Sequence, residues 1–343
     1  MKALVLEAYN QFTYKEVPDP KVADNEVLVR VKAAGICGSD VHGMDGSSGR
    51  RLPPVIMGHE AAGEIAAVGS NVANWKAGDR VTFDSTIFKK DDWFTRQGHY
   101  QLSDGKMVVG VSTPDFRKDG AFAEYVVLPE HILYKLPDAI SYTQAAFVEP
   151  AGVALHGIEI TQPSMTDIVV VVGVGMVGSF VLQLLKIRGC RKVIAVDIDD
   201  FKLGLARKLG ADHAFLPDDP KLMETVKALT DGRGADVVFE VVGEEDSVNT
   251  CISAVRKGGK VTLIGNVTPT INFPVQSVVT REIRVQGSCA INGEYPAVLD
   301  LIASGRLDVT SILSAEVPLS EGAAWFDRLY NKEKGLMKVM LKP

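Results

Sequence analysis

Residues Val169–Asp197 read VVVVGVGMVGSFVLQLLKIRGCRKVIAVD, and how this stretch folds decides the rest. The apolar run Ile168–Val172 is too short and too β-branched for a helix, and it leads into Gly173-Val174-Gly175-Met176-Val177-Gly178. Apolar residues then recur with helical spacing, so the pattern predicts strand, tight turn and helix. Gly173 lets the chain turn sharply, Gly175 leaves room for a pyrophosphate to approach the backbone, and Gly178 lets the helix pack close on the strand. The free N–H groups and positive dipole end of the helix N-terminus would face the phosphates. A second strand, Lys192–Val196, ends in Asp197, nineteen residues past Gly178, where a carboxylate accepts hydrogen bonds from the adenine ribose hydroxyls. That carboxylate would repel a 2′-phosphate, so the expected cofactor is NAD rather than NADP.

Working outward, the same alternation continues. Strands are expected at Ile168–Val172, Lys192–Val196, His213–Leu216, Ala235–Glu240, Lys260–Ile264 and Ile283–Gly287, with helices between them, which indicates a parallel, doubly wound α/β sheet. The first 130 or so residues read differently. Lys2–Leu6, Val27–Ala34, Ala61–Val68, Arg80–Phe83 and Ala121–Leu128 are short β-type runs separated by Gly, Pro and Asp turns, as in an all-β barrel or sandwich with long loops. Ser141 with Gln144 forms a capping box at the start of a helical stretch. Near the end, Tyr295–Ser304 reads as a helix, and Lys338–Leu341 as a strand that can return to the first domain.

A chain of 343 residues, 46% hydrophobic, is long enough for two domains with cores of their own. The net charge of −6 is spread over mixed signs with no basic run, which argues against nucleic acid and anionic membranes as partners. No stretch reaches the roughly 18 apolar residues of a membrane span, and the N-terminus lacks a signal-peptide core. A cytoplasmic protein is expected. The four cysteines, Cys37, Cys190, Cys251 and Cys289, are widely spaced and do not form a disulfide framework.

The chemistry should lie in the β-rich part, because a dinucleotide alone does not choose a substrate. Cys37 in GICGSDVH, His59 and Glu60 in MGHE, and Glu149 in FVEPAG offer thiolate, imidazole and carboxylate, the three donor types that zinc accepts. Glu149 precedes Pro150 and is expected at a break, out of helical geometry. Spacing alone leaves alternatives open: a cysteine buried for packing, and a histidine hydrogen-bonded to its neighbouring glutamate.

GICGSDVH, MGHE, GDRV, GAFAEYVVLP, FVEPAGVALHG, the glycine turn and the terminal KVML occur in the order found in the medium-chain, zinc-dependent alcohol and polyol dehydrogenases, which the chain resembles over its whole length. The resemblance is greatest to the sorbitol, threonine and sugar-alcohol-phosphate dehydrogenase branch. It implies a GroES-like catalytic domain from residues 1–150 and 291–343, a Rossmann dinucleotide-binding domain from 151–290, and a cleft between them. It also implies that Cys37, His59 and Glu60 hold a catalytic zinc, with Glu149 as fourth ligand or bound to the zinc water, and that Ser39 and His42 relay the hydroxyl proton outward. On the cofactor side it places Val177 at the pyrophosphate and Lys202 by the adenine ribose beside Asp197. Ile264, Gly265 and Asn266, with Ser288, Cys289 and Ala290, would then lie along the nicotinamide half. The family's sheet-edge pairing implies a homodimer or homotetramer. The expected reaction is oxidation of a secondary alcohol of a polyol, sugar or similar small polar molecule by NAD, with zinc lowering the hydroxyl pKa.

Two departures from the family matter. Many members carry four cysteines after GDRV that bind a structural zinc; here Lys89, Asp92, Thr95 and Ser103 stand at those positions, so one zinc per chain is expected. The lobe would then be held by packing of Trp93, Phe94 and Tyr100 or be mobile; if exposed, those aromatics would make a subunit contact or part of a lid. Gly43-Met44 and SCAING (288–293) replace side chains by which sorbitol enzymes hold their substrate, so sorbitol itself is not the expected substrate. Arg50, Arg51 and Arg117 read as loop charges, either solvated or within reach of an anionic substrate. A zinc-free enone reductase of the same superfamily leaves the Cys-His-Glu-Glu set unexplained, and a non-catalytic nucleotide-binding protein would be expected to have lost a ligand.

Overall fold

Ile168–Val172 forms a strand in which no side chain is more than 5% exposed, as a strand covered on both faces requires. The computed structural model, which describes residues 1–343, places it inside a six-stranded sheet. In space the strands run His213–Phe215, Lys192–Val196, Ile168–Val172, Ala235–Glu240, Val255–Leu263 and Arg284–Gly287. Every neighbouring pair is parallel. In chain order this is 3-2-1-4-5-6, the doubly wound arrangement, and it reverses between Ile168–Val172 and Ala235–Glu240. Val170, Ile194, Val238 and Val261 from the strands pack with Val226, Val248 and Ile252 from the helices. The fifth strand begins at Val255 rather than Lys260: Val255 pairs with Ala235, and the regular ladder resumes at Lys260 after an irregularity in which Gly258 has φ +64°.

The chain divides into two compact units. This sheet belongs to the one formed by Pro150–Ala290 and Arg306–Asp308; the other comprises Met1–Glu149, Ile291–Gly305 and Val309–Pro343. In that unit a seven-stranded sheet runs Leu133–Lys135, Arg80–Phe83, Glu60–Val68, Glu26–Gly35, Lys338–Lys342 and Leu313–Pro318, with Tyr125–Pro129 also paired to Glu26–Gly35. The C-terminal Lys338–Lys342 does return to this sheet, antiparallel to Glu26–Gly35. Ala121–Glu124 lies outside the strand expected there, since pairing begins at Tyr125, and Gln11–Glu16 adds a mostly exposed strand that the hydrophobic pattern does not signal. At Ser141 the capping box forms: Gln144 N–H donates to Ser141 Oγ and Ser141 N–H to Gln144 Oε1.

The lobe after Phe83 is closed by hydrogen bonds centred on Lys89, Asp92, Thr95 and Ser103. Lys89 N–H donates to Ser103 Oγ at 3.3 Å, and Asp92 accepts from the N–H groups of Thr95 and Asp104, each at 3.2 Å. Trp93 does not enter a core, contrary to expectation: it is 66% exposed and meets only the edge of Phe94 in its ring contacts. Tyr100 does the packing instead. Its ring stacks on Phe88 at 4.5 Å, and its hydroxyl donates to Asp84 Oδ2 at 2.6 Å and accepts from Gly293 N–H at 2.8 Å.

Burial pushes the Asp84 carboxyl up to about 6. Above that pH the carboxylate is ionised and depends on the Tyr100 donor; below it, the protonated group no longer does. Tyr100→Phe should therefore destabilise the protein by about 1–3 kcal/mol at pH 7.5 and by less at pH 5, measured by denaturant unfolding at both pH values. An equal loss at the two pH values would contradict this role.

Candidate metal centre and cofactor cradle

Sheet register, more than sequence distance, assembles the candidate metal centre. Gly35, at the end of Glu26–Gly35, pairs with Glu60 on one side and with Met340 on the other. Cys37 follows that strand by two residues, His59 precedes the Glu60–Val68 strand, and Lys338 begins the last strand. Three strand ends thus bring these four side chains together. A Cβ on Gly35 would lie 2.5 Å from Lys338 Cε and 2.7 Å from Glu60 Oε2, so a side chain there would displace the Lys338–Glu60 pair.

The ligand atoms of Cys37, His59 and Glu60 lie within 4.8 Å of one another. Zinc bonds of about 2.0–2.3 Å in a tetrahedron need donor atoms somewhat closer than this, a small adjustment, and the thiolate, imidazole and carboxylate set suits that ion. Glu60 Oε1 is buried without a hydrogen-bond partner, as befits an oxygen reserved for a metal. Its other oxygen, Oε2, is held by the ammonium of Lys338, which also donates to Ile36 O at 2.9 Å. Both residues of this ion pair are fully buried.

The local charges favour an anionic sulfur. Burial opposes the Cys37 thiolate, but the charge and hydrogen bond of His59, with Lys338, outweigh it and bring the thiol down to about 6. His59 is likewise held well above the usual imidazole range by Asp40 and Cys37, against its own burial. Its Nδ1 stands 3.4 Å from Asp40 Oδ1.

Glu149 lies outside the group of three, and its Oε1 accepts from Ser85 Oγ at 2.9 Å. Burial pushes its carboxyl up to about 7, with the Cys37 thiolate adding to the effect and His59 opposing it. The expected break at Glu149 is absent: it sits in the first turn of the helix Val148–Thr161. Pro150 does not disrupt that helix, because N–H groups of a first turn have no partner within the helix in any case.

Ser39 and His42 are exposed and three residues apart on the short helix Gly38–Gly43, and so share a face. Ser39 Oγ donates to Cys37 Sγ at 3.3 Å. Arg51 is not the loop charge it was expected to be. It is 3% exposed and paired with Asp40, while Arg50 is exposed and Arg117 pairs with Asp119.

In the other unit the glycine turn has the geometry its spacing implies. Gly173 has φ +87°, a Cβ on Gly178 would lie 1.9 Å from Gly173 O, and one on Gly175 would meet open space, a cradle for a phosphate. Val177 follows in the first turn of the helix Met176–Arg188. Asp197 Oδ2 accepts from Val174 N–H at 2.9 Å, tying the end of the second strand to the turn, and Lys202 Nζ stands 3.9 Å from Oδ1. Ile264 and Gly265 donate their N–H groups to Glu240 O at 2.8 and 3.2 Å, with Asn266 following. Ser288 N–H donates to Leu263 O at 2.8 Å, which sets Ser288, Cys289 and Ala290 beside that segment.

Sequence reasoning missed Asp40, Arg51, Lys338 and Glu240. Glu240 Oε1 accepts from Val242 and Gly243 N–H, each at 2.8 Å, and so shapes the loop that packs against both the glycine turn and Gly265. Only Asp40 carried a signal, its place inside GICGSDVH.

Comparison with known proteins shows the family. Residues 23–138 match the alcohol dehydrogenase GroES-like domain, and residues 176–304 match the zinc-binding dehydrogenase family. The chain is 31% identical to a sorbitol dehydrogenase of Bacillus subtilis, covering 100% of this chain and 97% of that one. It is 35% identical to the D-xylulose reductase A of Aspergillus oryzae, covering 94% and 92%. Among solved structures, a zinc-binding dehydrogenase of Sinorhizobium meliloti 1021 bound to NADP superposes with a TM-score of 0.89 at 28% identity, covering 100% and 99%.

Proposed function

This chain belongs to the zinc-dependent, medium-chain polyol dehydrogenases, and from that premise we propose that it oxidises a secondary alcohol of a polyol or related polar molecule with NAD. The observation that carries the reading is the gathering of Cys37, His59 and Glu60. These three would hold one zinc per chain, with Glu149 as fourth ligand or as partner of its water. Bound there, zinc supplies Lewis-acid polarisation of the substrate hydroxyl, lowering its pKa towards neutrality.

The chain's own groups do the rest. Ser39 would accept the hydroxyl proton as it gives up its own, and His42, exposed on the same face, would release a proton to solvent. Bound NAD would supply the hydride acceptor, and the overall change would convert the secondary alcohol and NAD to a ketone, NADH and one proton. Glu240 fixes the loops that present the glycine turn and Ile264–Asn266 to the dinucleotide. Asp197 accepts from the adenine ribose hydroxyls and opposes a 2′-phosphate, which favours NAD although a structural relative binds NADP.

No helix is long and apolar enough to cross a membrane, and we place the enzyme in the cytoplasm, where NAD is at hand. We assign it a homodimer or homotetramer. Arg284–Gly287 is an edge strand, and Val275 and Val279 on the preceding helix are 59% and 68% exposed, a pairing edge with apolar flanks.

Initial rates of NADH formation against polyols, phosphorylated polyols, sugars, β-hydroxy amino acids and simple secondary alcohols test this assignment. Turnover of polyols with NAD supports it, and turnover confined to another class overturns the substrate. The cofactor choice has its own test. Asp197→Ser with Ile198→Arg, at a position 81% exposed, should lower the NAD-to-NADP ratio of kcat/KM by roughly 10–100-fold, since a hydrogen bond to a charged group is worth about 1.5–3 kcal/mol. An unchanged ratio in a variant of normal thermal stability would contradict the placement of the ribose.

A further inference from the structure

Arg51 is an arginine in a loop that nonetheless has almost no exposed surface. Its Nη2 donates to Asp40 Oδ1 at 2.7 Å and to Ser39 Oγ at 3.4 Å. Its Nε donates to Asp40 Oδ1 at 3.2 Å and its Nη1 to Arg50 O at 2.9 Å. Asp40 is fully buried and reaches two of the proposed ligands. Its Oδ2 accepts from the Cys37 N–H at 3.3 Å, and Oδ1 stands 3.4 Å from His59 Nδ1. A buried carboxylate without a cation is strongly disfavoured, and Arg51 is the cation hydrogen-bonded to this one.

We propose that Arg51 is a positioning residue for the metal centre: through Asp40 it fixes the His59 ring and the Cys37 backbone, and through Ser39 it places the proton-accepting hydroxyl. Asp40 Oδ1 stands against the Nδ1 side of the His59 ring and leaves Nε2 for a metal, the usual division of labour for a ligating imidazole. The guanidinium is suited to this as a lysine is not, since a planar fork can meet Asp40 and Ser39 together. The backbone is shaped to admit it. A Cβ on Gly43 would lie 2.5 Å from Arg51 Cγ, so the short helix has a glycine where the arginine stem passes.

The inference rests on the reading of Cys37, His59 and Glu60 as zinc ligands, and the test separates the two. Zinc affinity is measured by competition with a chromophoric chelator for the wild-type protein and for Arg51→Met, Arg51→Lys and Gly43→Ala. The absorption spectrum of each cobalt-substituted protein reports ligand geometry. Arg51→Met should bind zinc roughly 10–100-fold more weakly with an altered cobalt spectrum, Arg51→Lys should fall between it and wild type, and Gly43→Ala should weaken binding in the same direction. Gly43→Ala keeps every charge, so it carries the test where Arg51→Met is too unstable to purify. Unchanged affinity and spectra in folded Arg51→Met and Gly43→Ala would overturn the inference while leaving the metal centre standing. A wild-type protein without affinity for zinc would overturn the metal centre itself, and the inference with it.

Discussion

Replacing Cys37 with serine should remove bound zinc and turnover together. The thiolate is one of three donors whose atoms gather within 4.8 Å, and its neighbours already favour the anionic form. Serine is close to isosteric, but its hydroxyl stays protonated where the thiol ionises, so it cannot supply the same charge to a cation. Lewis-acid polarisation contributes several kcal/mol to the transition state, and each 1.36 kcal/mol is tenfold in rate, so kcat/KM should fall by about 10³-fold or more. The fold should survive, because Cys37 lies at the end of a strand and not in the main apolar cluster. Metal analysis and initial rates on the same preparation check this. A zinc-free Cys37→Ser protein that keeps wild-type turnover would contradict the mechanism.

Lys338→Met should be the most destabilising of these changes. The ammonium is fully buried and is the ion-pair partner of the equally buried Glu60. Burial pushes it down to about 8, against the attraction of Cys37 and Asp40, which still leaves it charged at neutral pH. Methionine fills much of the same volume and abandons the Glu60 carboxylate, and removing one partner of a buried pair costs about 3–5 kcal/mol. The loss should be largest in metal-free protein and smaller with zinc bound, when Glu60 has a cation again. Adding Glu60→Gln to Lys338→Met should recover part of the loss, because no uncompensated charge then remains. Denaturant unfolding of the single and double variants, with and without zinc, separates these contributions. A metal-free Lys338→Met protein as stable as wild type would contradict the coupling.

What the sequence disclosed follows from range. Ile168–Val172, Lys192–Val196, Arg80–Phe83 and Ala235–Glu240 were legible to the residue, because short β-branched runs between turns announce themselves locally. The glycine turn was legible for the same reason. Lys338 carried no signal beyond standing first in an apolar strand. Its role comes from the pairing of Gly35 with both Glu60 and Met340, partners 25 and 305 residues away along the chain. Arg51 read as a surface charge because its partner Asp40 is hidden until the loop folds back over the short helix. Glu149 reads as a break because Pro150 follows it, but a proline that breaks a helix interior fits a first turn. Trp93 has the chemistry of a core residue, yet backbone N–H groups donating to the Ser103 and Asp92 side chains close that lobe instead.

The most direct test of the central claim is polyol-dependent NADH formation by zinc-assayed wild-type protein, before chelation, after chelation and after zinc is restored. Stoichiometric zinc, turnover lost with the chelator and regained with the metal is the predicted result. Polyol oxidation that continues unchanged in metal-free protein would contradict it.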